Sequence, residues 1–158
     1  MNKPALLQTI LAEMNRALAI ANRATQRAIE SATDEETIAE HKYDTLALEA
    51  SYLAHGQAVR AQKYEGEINL MNALSLPQDS DEVRHGTLVT VVDGDNKIQH
   101  FFTAPCAGGL TVQFGGMEIM VVTFDSPIGQ SLKGKRVGDE VVYCVSSKEY
   151  WYDIEAII

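Results

Sequence analysis

The sequence predicts an α+β protein, an antiparallel two-helix coiled-coil hairpin followed by a small, mainly β domain. Three observations predict it. An apolar stripe of heptad period runs from Leu7 to Ala28, a second long helical pattern returns from about residue 34 to Leu74, and after Pro77 the periodicity changes to that of short strands separated by glycine turns.

The first helix opens at Pro4, where a first-turn proline belongs, and its seam is Leu7, Leu11, Met14, Leu18, Ala21, Thr25 and Ala28. The seam shrinks from Leu and Met to Ala and Thr, which lets a partner helix approach closely. Arg16, Arg23 and Arg27 fall outside it, as solvated residues. At Glu30–Glu40 the two patterns meet. Thr33 followed by Glu36 reads as a capping box, so the second helix is expected to start near Asp34.

Three carboxylates, Asp34, Glu35 and Glu36, crowd that bend. Acids in a first turn are favoured by the helix dipole alone, by about 0.3 to 1 kcal/mol each, so a purely structural role stands beside a functional one. On the return helix Ile38, Thr45, Leu48, Tyr52 and Val59 hold one register, and Leu46, Leu53 and Arg60 a second. His41 and His55 fall on or beside this seam as core or boundary residues. Lys42, the first cation after the acids, is either solvated or a contact for a neighbouring phosphate. Arms of roughly 28 to 35 residues make a finger on the order of 40 to 50 Å long, more than a compact domain needs.

The boundaries follow: a finger over 1–76 with its acidic tip near 33–40, a linker over 77–85, and a C-terminal domain over 86–158. In the last, Thr87–Val92, the turn Asp93-Gly94-Asp95-Asn96 and Lys97–Phe102 form a hairpin signal. Further strands are expected at Leu110–Phe114, Glu118–Phe124, Val141–Ser146 and Tyr150–Ile158. Ser126-Pro127-Ile128-Gly129 punctuates the chain before one short helical turn and a basic triplet, Lys133, Lys135 and Arg136. Tyr143, Tyr150, Trp151 and Tyr152 read as core aromatics.

The net charge of −9 argues against a large duplex-wrapping surface or an anionic membrane as the main partner. Cys106 and Cys144 lie far apart without a CxxC or metal-ligand spacing, and are expected as free buried thiols. Glu13, Asn15 and Arg16 interrupt the N-terminal apolar run before it could be a signal core or a membrane span, so a cytoplasmic protein is expected. The chain lacks the signatures GxxxxGK[ST], GxGxxG after a strand, GxSxG and HExxH, and a self-contained enzyme is not indicated.

The run from Ser126-Pro127-Ile128-Gly129 through Leu132-Lys133-Gly134-Lys135 to Gly138-Asp139-Glu140-Val141 is similar to the C-terminal signature of the bacterial Gre transcription elongation factors. The acid-tipped finger resembles the Gre coiled coil, so the resemblance covers nearly the whole chain. It implies an FKBP-like C-terminal domain and a finger that enters the secondary channel of bacterial RNA polymerase. Asp34, Glu35 and Glu36 would there help hold a Mg²⁺ of the polymerase active site for cleavage of backtracked RNA, with no cofactor bound by the chain alone. Asp125, Ser126 and Pro127 would dock on the polymerase, Lys42 would lie near RNA, and the nascent RNA 3′ end would be met only indirectly. Monomer is the default state.

The family's tip carries a Glu three residues after its Asp; here Thr37 takes that place, and either Glu35 or Glu36 is left to substitute. A second expectation is therefore a Gre-like channel binder that modulates the polymerase without cleavage. A third is an FKBP-like peptide-binding module with the finger as an oligomerisation arm.

Overall fold

The computed structural model describes residues 2–33 and 45–158, with side chains at all of these except 32, 46 and 47. The expected tip acids, together with Ile38, His41 and Lys42, lie outside the described residues, and Leu46 is described in its backbone alone. The fold is α+β, two long helices followed by a mainly β domain. Packing divides the chain into two compact units, Met1–Leu11 with Asn69–Ile158, and Ala12–Ile68. The expected linker over 77–85 lies within the first of these.

Helix α1 (Lys3–Thr33) begins where Asn2 Oδ1 accepts from the amide of Ala5 at 3.0 Å, a side-chain cap for one of the first unpaired amides. Its expected seam is the observed one. Leu7, Leu11, Met14, Ala21 and Ala28 are buried and Leu18 and Thr25 half-buried. Thr33 is the last described residue of α1 and its hydroxyl donates to the carbonyl of Ile29 at 2.9 Å; the capping box expected with Glu36 lies outside the described residues.

Helix α2 (Thr45–Asn72) corrects the expected register. Leu48, Tyr52, Leu53 and Val59 are exposed, as are Thr45, His55 and Arg60. The covered face is instead Ala50, Ala54, Gln57, Ala61, Tyr64, Ile68 and Met71, again in alternating steps of four and three. Opposite the alanines of α1 stand the longer Gln57 and Tyr64 as well as alanines, so the seam of α2 mixes small and polar residues while Leu48, Tyr52, Leu53 and Val59 turn outward. A cavity of about 250 Å³ lined by Ala17, Ala21 and Ala24 with Gln57, Arg60 and Tyr64 marks where the two helices run side by side.

In the other unit, Leu6, Ile10 and Met71 are fully buried. Lys3 is buried too, its ammonium donating to the carbonyl of Pro77. Burial pushes its pKa down, with Asp79 opposing and Arg84 adding to the shift.

The sheet has six strands, β1 (Leu88–Asp93), β2 (Ile98–Thr103), β3 (Thr111–Phe114), β4 (Met117–Val122), β5 (Glu140–Val145) and β6 (Lys148–Ile157), in the order β3-β4-β2-β1-β6-β5. All neighbours are antiparallel except β2 and β4. The β1–β2 turn is the expected one. Asp93 Oδ1 accepts from the amides of Asp95 and Lys97, both at 2.9 Å, which is the local chemistry that makes aspartate a turn residue.

One face of the sheet carries the core of Val89, Val91, Phe101, Val122, Val141, Tyr152 and Ile154, closed by Val83 and by Leu132 of the short helix α3 (Pro127–Leu132). At 25 cal/mol per Å² of apolar surface removed from water, each such side chain contributes about 1.5 to 3 kcal/mol. Thr87 and Thr103, buried between strands, bond each other at 3.0 Å and leave no orphaned hydroxyl. Tyr143 stacks on Tyr150 and Tyr152, centroids 5.0 and 6.0 Å apart, whereas Trp151 on the opposite face is 51% exposed and not core. Cys106 and Cys144 form no disulfide, and only Cys106 is buried; Cys144 on β5 is exposed, because its strand neighbour Tyr143 takes the inward face and alternate residues point outward.

Candidate functional site

Residues 123–136 form the part of the C-terminal domain where sequence-expected site residues gather. The local chemistry dictates the turn. Ser126 has extended backbone (φ −78°, ψ 153°), Pro127 follows with a φ already suited to a first helical turn, and Ser126 Oγ accepts from the amide of Gly129 at 3.1 Å. The same hydroxyl donates to the carbonyl of Thr123 at 2.7 Å, and the Ser126 amide reaches that carbonyl at 3.1 Å. Ser126 is thus a helix cap and a loop clasp.

Helix α3 is held from both ends. Ser131 Oγ lies 2.8 Å from the carbonyl of Val142 on β5, and the amide of Lys133 caps the helix on Gly129 O at 3.0 Å. Gly129 is fixed by close approach. A Cβ built there would stand 1.9 Å from the carbonyl oxygen of Thr123 and 3.0 Å from the Cα of Phe124. The helix therefore lies directly on the backbone of the loop it follows, with no room for a methyl group.

That packing leaves Asp125 and Pro127 exposed and Ser126 half-buried. Of the three expected docking residues, two face solvent and the third uses its hydroxyl within the loop. Beneath them the ring of Phe124 carries two neighbours that sequence reasoning missed. His85 stacks on it at 4.3 Å between centroids, and the Lys133 ammonium lies 5.6 Å from the ring centre. Burial lowers the pKa of His85, the positive charge of Lys133 lowers it further, and the Asp125 carboxylate opposes them.

Residues 83–85 are brought here by backbone pairing: the Val83 amide donates to Lys135 O at 2.8 Å and the Gly134 amide to Val83 O at 2.9 Å. Gly134, at φ +73°, takes the left-handed conformation that lets the chain turn back for this second bond. The turn that carries the basic triplet is thereby paired with Val83 and Lys133 acts on His85; Lys133 and Arg136 are exposed and Lys135 half-buried. The triplet was legible as a local charge excess; its placement against residues about fifty positions earlier was not.

The other site residues, Asp34, Glu35, Glu36 and Lys42, lie outside the described residues. Among the described residues no group of three or more His, Cys, Asp or Glu side chains could hold a metal ion, and no helix is long and apolar enough to cross a membrane.

The family model for the C-terminal domain of the transcription elongation factors GreA and GreB matches residues 78–158. The chain is 24% identical over 151 residues to the transcription elongation factor GreA of Rhodospirillum rubrum, spanning 96% of this chain and 92% of that protein. Among solved structures it is similar to the GreA factor homolog 1 (Gfh1) protein of Thermus thermophilus, with 22% identity, TM-score 0.39, and 98% and 93% of the two chains covered. Gfh1 of Thermus aquaticus compares at 21% identity and TM-score 0.40, covering 97% and 92%.

Proposed function

The chain belongs to the GreA/GreB family of transcription elongation factors, and from that premise we propose that it binds bacterial RNA polymerase and stimulates the polymerase's own cleavage of backtracked RNA. The finger enters the secondary channel, and the loop Asp125–Pro127 docks outside it. One observation carries this reading: a family C-terminal domain shares a chain with helices of 31 and 28 residues closed by a heptad seam. Arms of that length are on the order of 40 Å long, a reach that the C-terminal domain itself does not require.

The chemistry asked of the tip is modest. Hydrolysis at two metals needs a second cation stabilised beside the first, and Mg²⁺ usually takes only one or two protein carboxylates. Asp34, with Glu35 or Glu36, would supply such a ligand to a cation of the polymerase active site. The chain is an accessory factor and acts in the cytoplasm, where the polymerase is. Lys42 would lie toward the RNA.

Thr37, standing where the family's second tip acid is expected, favours a second reading, a channel binder that modulates the polymerase without cleavage. One assay separates the two. Purified protein is added with Mg²⁺ to a stalled elongation complex, and release of short 3′ RNA fragments is followed. Release above background supports stimulation; binding without release supports the second reading, and absence of binding removes both.

A further inference from the structure

Asp125 and Lys133 both lie within electrostatic range of the His85 imidazole, the one raising its pKa and the other lowering it. They nonetheless form no ion pair with each other, and Lys133, Lys135 and Arg136 are in no ion pair among the described residues. In a chain of net charge −9, a cluster of cations left unpaired next to an unpaired carboxylate is a chemically distinct patch. It is also a built one. The Lys133 side chain lies over Phe124, so its ammonium is placed before any partner arrives, and the backbone pairing of Val83 with Gly134 and Lys135 fixes the turn beneath it.

We infer that the docking surface extends from Asp125 across Phe124 to Lys133 and its basic neighbours, and that it takes a protein segment presenting a basic side chain to Asp125 and an acidic one to Lys133. The inference rests on the docking role proposed for Asp125–Pro127 and adds the second half of that surface. A mixed patch fits a protein and not a nucleic acid. Asp125, exposed in the loop, would repel a phosphate backbone, and the exposed Pro127 offers apolar surface that a peptide can cover. Paired charges of both signs also fix orientation, since a segment docked the wrong way round brings like charges together.

The test uses the full chain and bacterial core RNA polymerase. Affinity and association rate are measured at low and high salt for wild type, Asp125→Ala, Lys133→Glu and Lys133→Gln, with thermal unfolding confirming that each variant is folded. Lys133→Glu is expected to weaken binding roughly tenfold or more at low salt, chiefly through association, with a smaller loss for Lys133→Gln and a difference that shrinks at high salt. If Lys133→Glu does not fold, Lys133→Gln carries the test alone. Wild-type binding weakened by Asp125→Ala but unaltered by either Lys133 variant would overturn this inference and leave the docking role standing. No wild-type binding would overturn both. Binding of a single-stranded or hairpin RNA that is lost in Lys133→Glu, with polymerase affinity unchanged, would also overturn it, by assigning the patch to another class of partner.

Discussion

Replacing Gly129 by alanine sets two effects of opposite sign against each other. Gly129 is the third residue of α3, and in a helix alanine is favoured over glycine by about 1 kcal/mol. Against this, the new methyl carbon would stand 1.9 Å from Thr123 O, 2.7 Å from Thr123 C and 3.0 Å from Phe124 Cα, all backbone atoms that no rotamer change can move aside. Either α3 or the loop must retreat by well over an ångström. Overpacking of this kind costs about 1 to 3 kcal/mol, and displacing Thr123 O also loosens the two bonds it accepts from Ser126, whose cap contributes about 1 kcal/mol more. The clash wins, and Gly129→Ala is expected to destabilise by on the order of 1 to 3 kcal/mol net. Trp151, the single tryptophan, lies in β6, so urea unfolding followed by its fluorescence reads the domain in question. The urea midpoint should fall, and polymerase affinity should fall with it although Asp125 is untouched. A variant as stable as wild type, or more so, would refute the packing argument.

Within the docking loop the two polar residues should part company: Asp125→Ala, at an exposed position, should stay within about ±0.5 kcal/mol of wild-type stability, while Ser126→Ala should lose about 1 kcal/mol with the cap. Urea unfolding of both variants checks this, and an equal loss would mean that the hydroxyl is not the clasp. In the finger, Leu11→Ala should cost about 2 to 4 kcal/mol and Leu18→Ala, only half-buried, roughly half as much. Leu11 packs in the unit that contains the sheet, so its substitution should lower the Trp151-reported midpoint, and that of Leu18 should lower only the helical circular dichroism transition. Burial, then the hydrogen bond with Tyr152, raises the Tyr143 pKa above its ordinary 10. The folded state then holds a proton that the unfolded state releases, so stability is level below about pH 10 and falls as pH rises beyond it. Tyr143→Phe should flatten that alkaline decline in unfolding free energy against pH, and an unchanged slope would assign the decline to other groups.

Much of the architecture was legible because it rests on local chemistry. The α1 seam could be read because leucine and methionine mark a heptad clearly, and the β1–β2 turn because Asp93, Gly94 and Asn96 satisfy backbone requirements that few other residues meet. The return helix misled for the opposite reason. Its covered face begins with Ala50, Ala54, Gln57, Ala61 and Tyr64, small or polar residues that carry little apolar signal against a background of Leu48, Tyr52, Leu53 and Val59, all of them exposed. Thr33 illustrates a different ambiguity, since a threonine hydroxyl can close a helix by bonding back to Ile29 as readily as it can cap the next one.

The site was legible to the same degree. Ser126-Pro127 announces a helix start, and Lys133, Lys135 and Arg136 stand out in an acidic chain. The need for glycine at 129 was not, because it comes from the backbone of Thr123 and Phe124 lying against the helix, a tertiary distance that no spacing encodes. His85 falls within the expected linker over 77–85. Its place on Phe124 depends on the pairing of Val83 with Lys135, across about fifty residues of sequence.

The central claim, that acids on the finger promote cleavage in the polymerase, is tested most directly by the rate of 3′ fragment release from a backtracked complex with Mg²⁺, compared between wild type and the triple variant Asp34→Asn, Glu35→Gln, Glu36→Gln. The substitutions keep size and a neutral oxygen but remove the charge that draws the cation. The account predicts faster release with wild type, its loss in the triple variant, and polymerase affinity preserved in both. Wild type that binds without accelerating release, or a triple variant that accelerates it fully, would contradict the account.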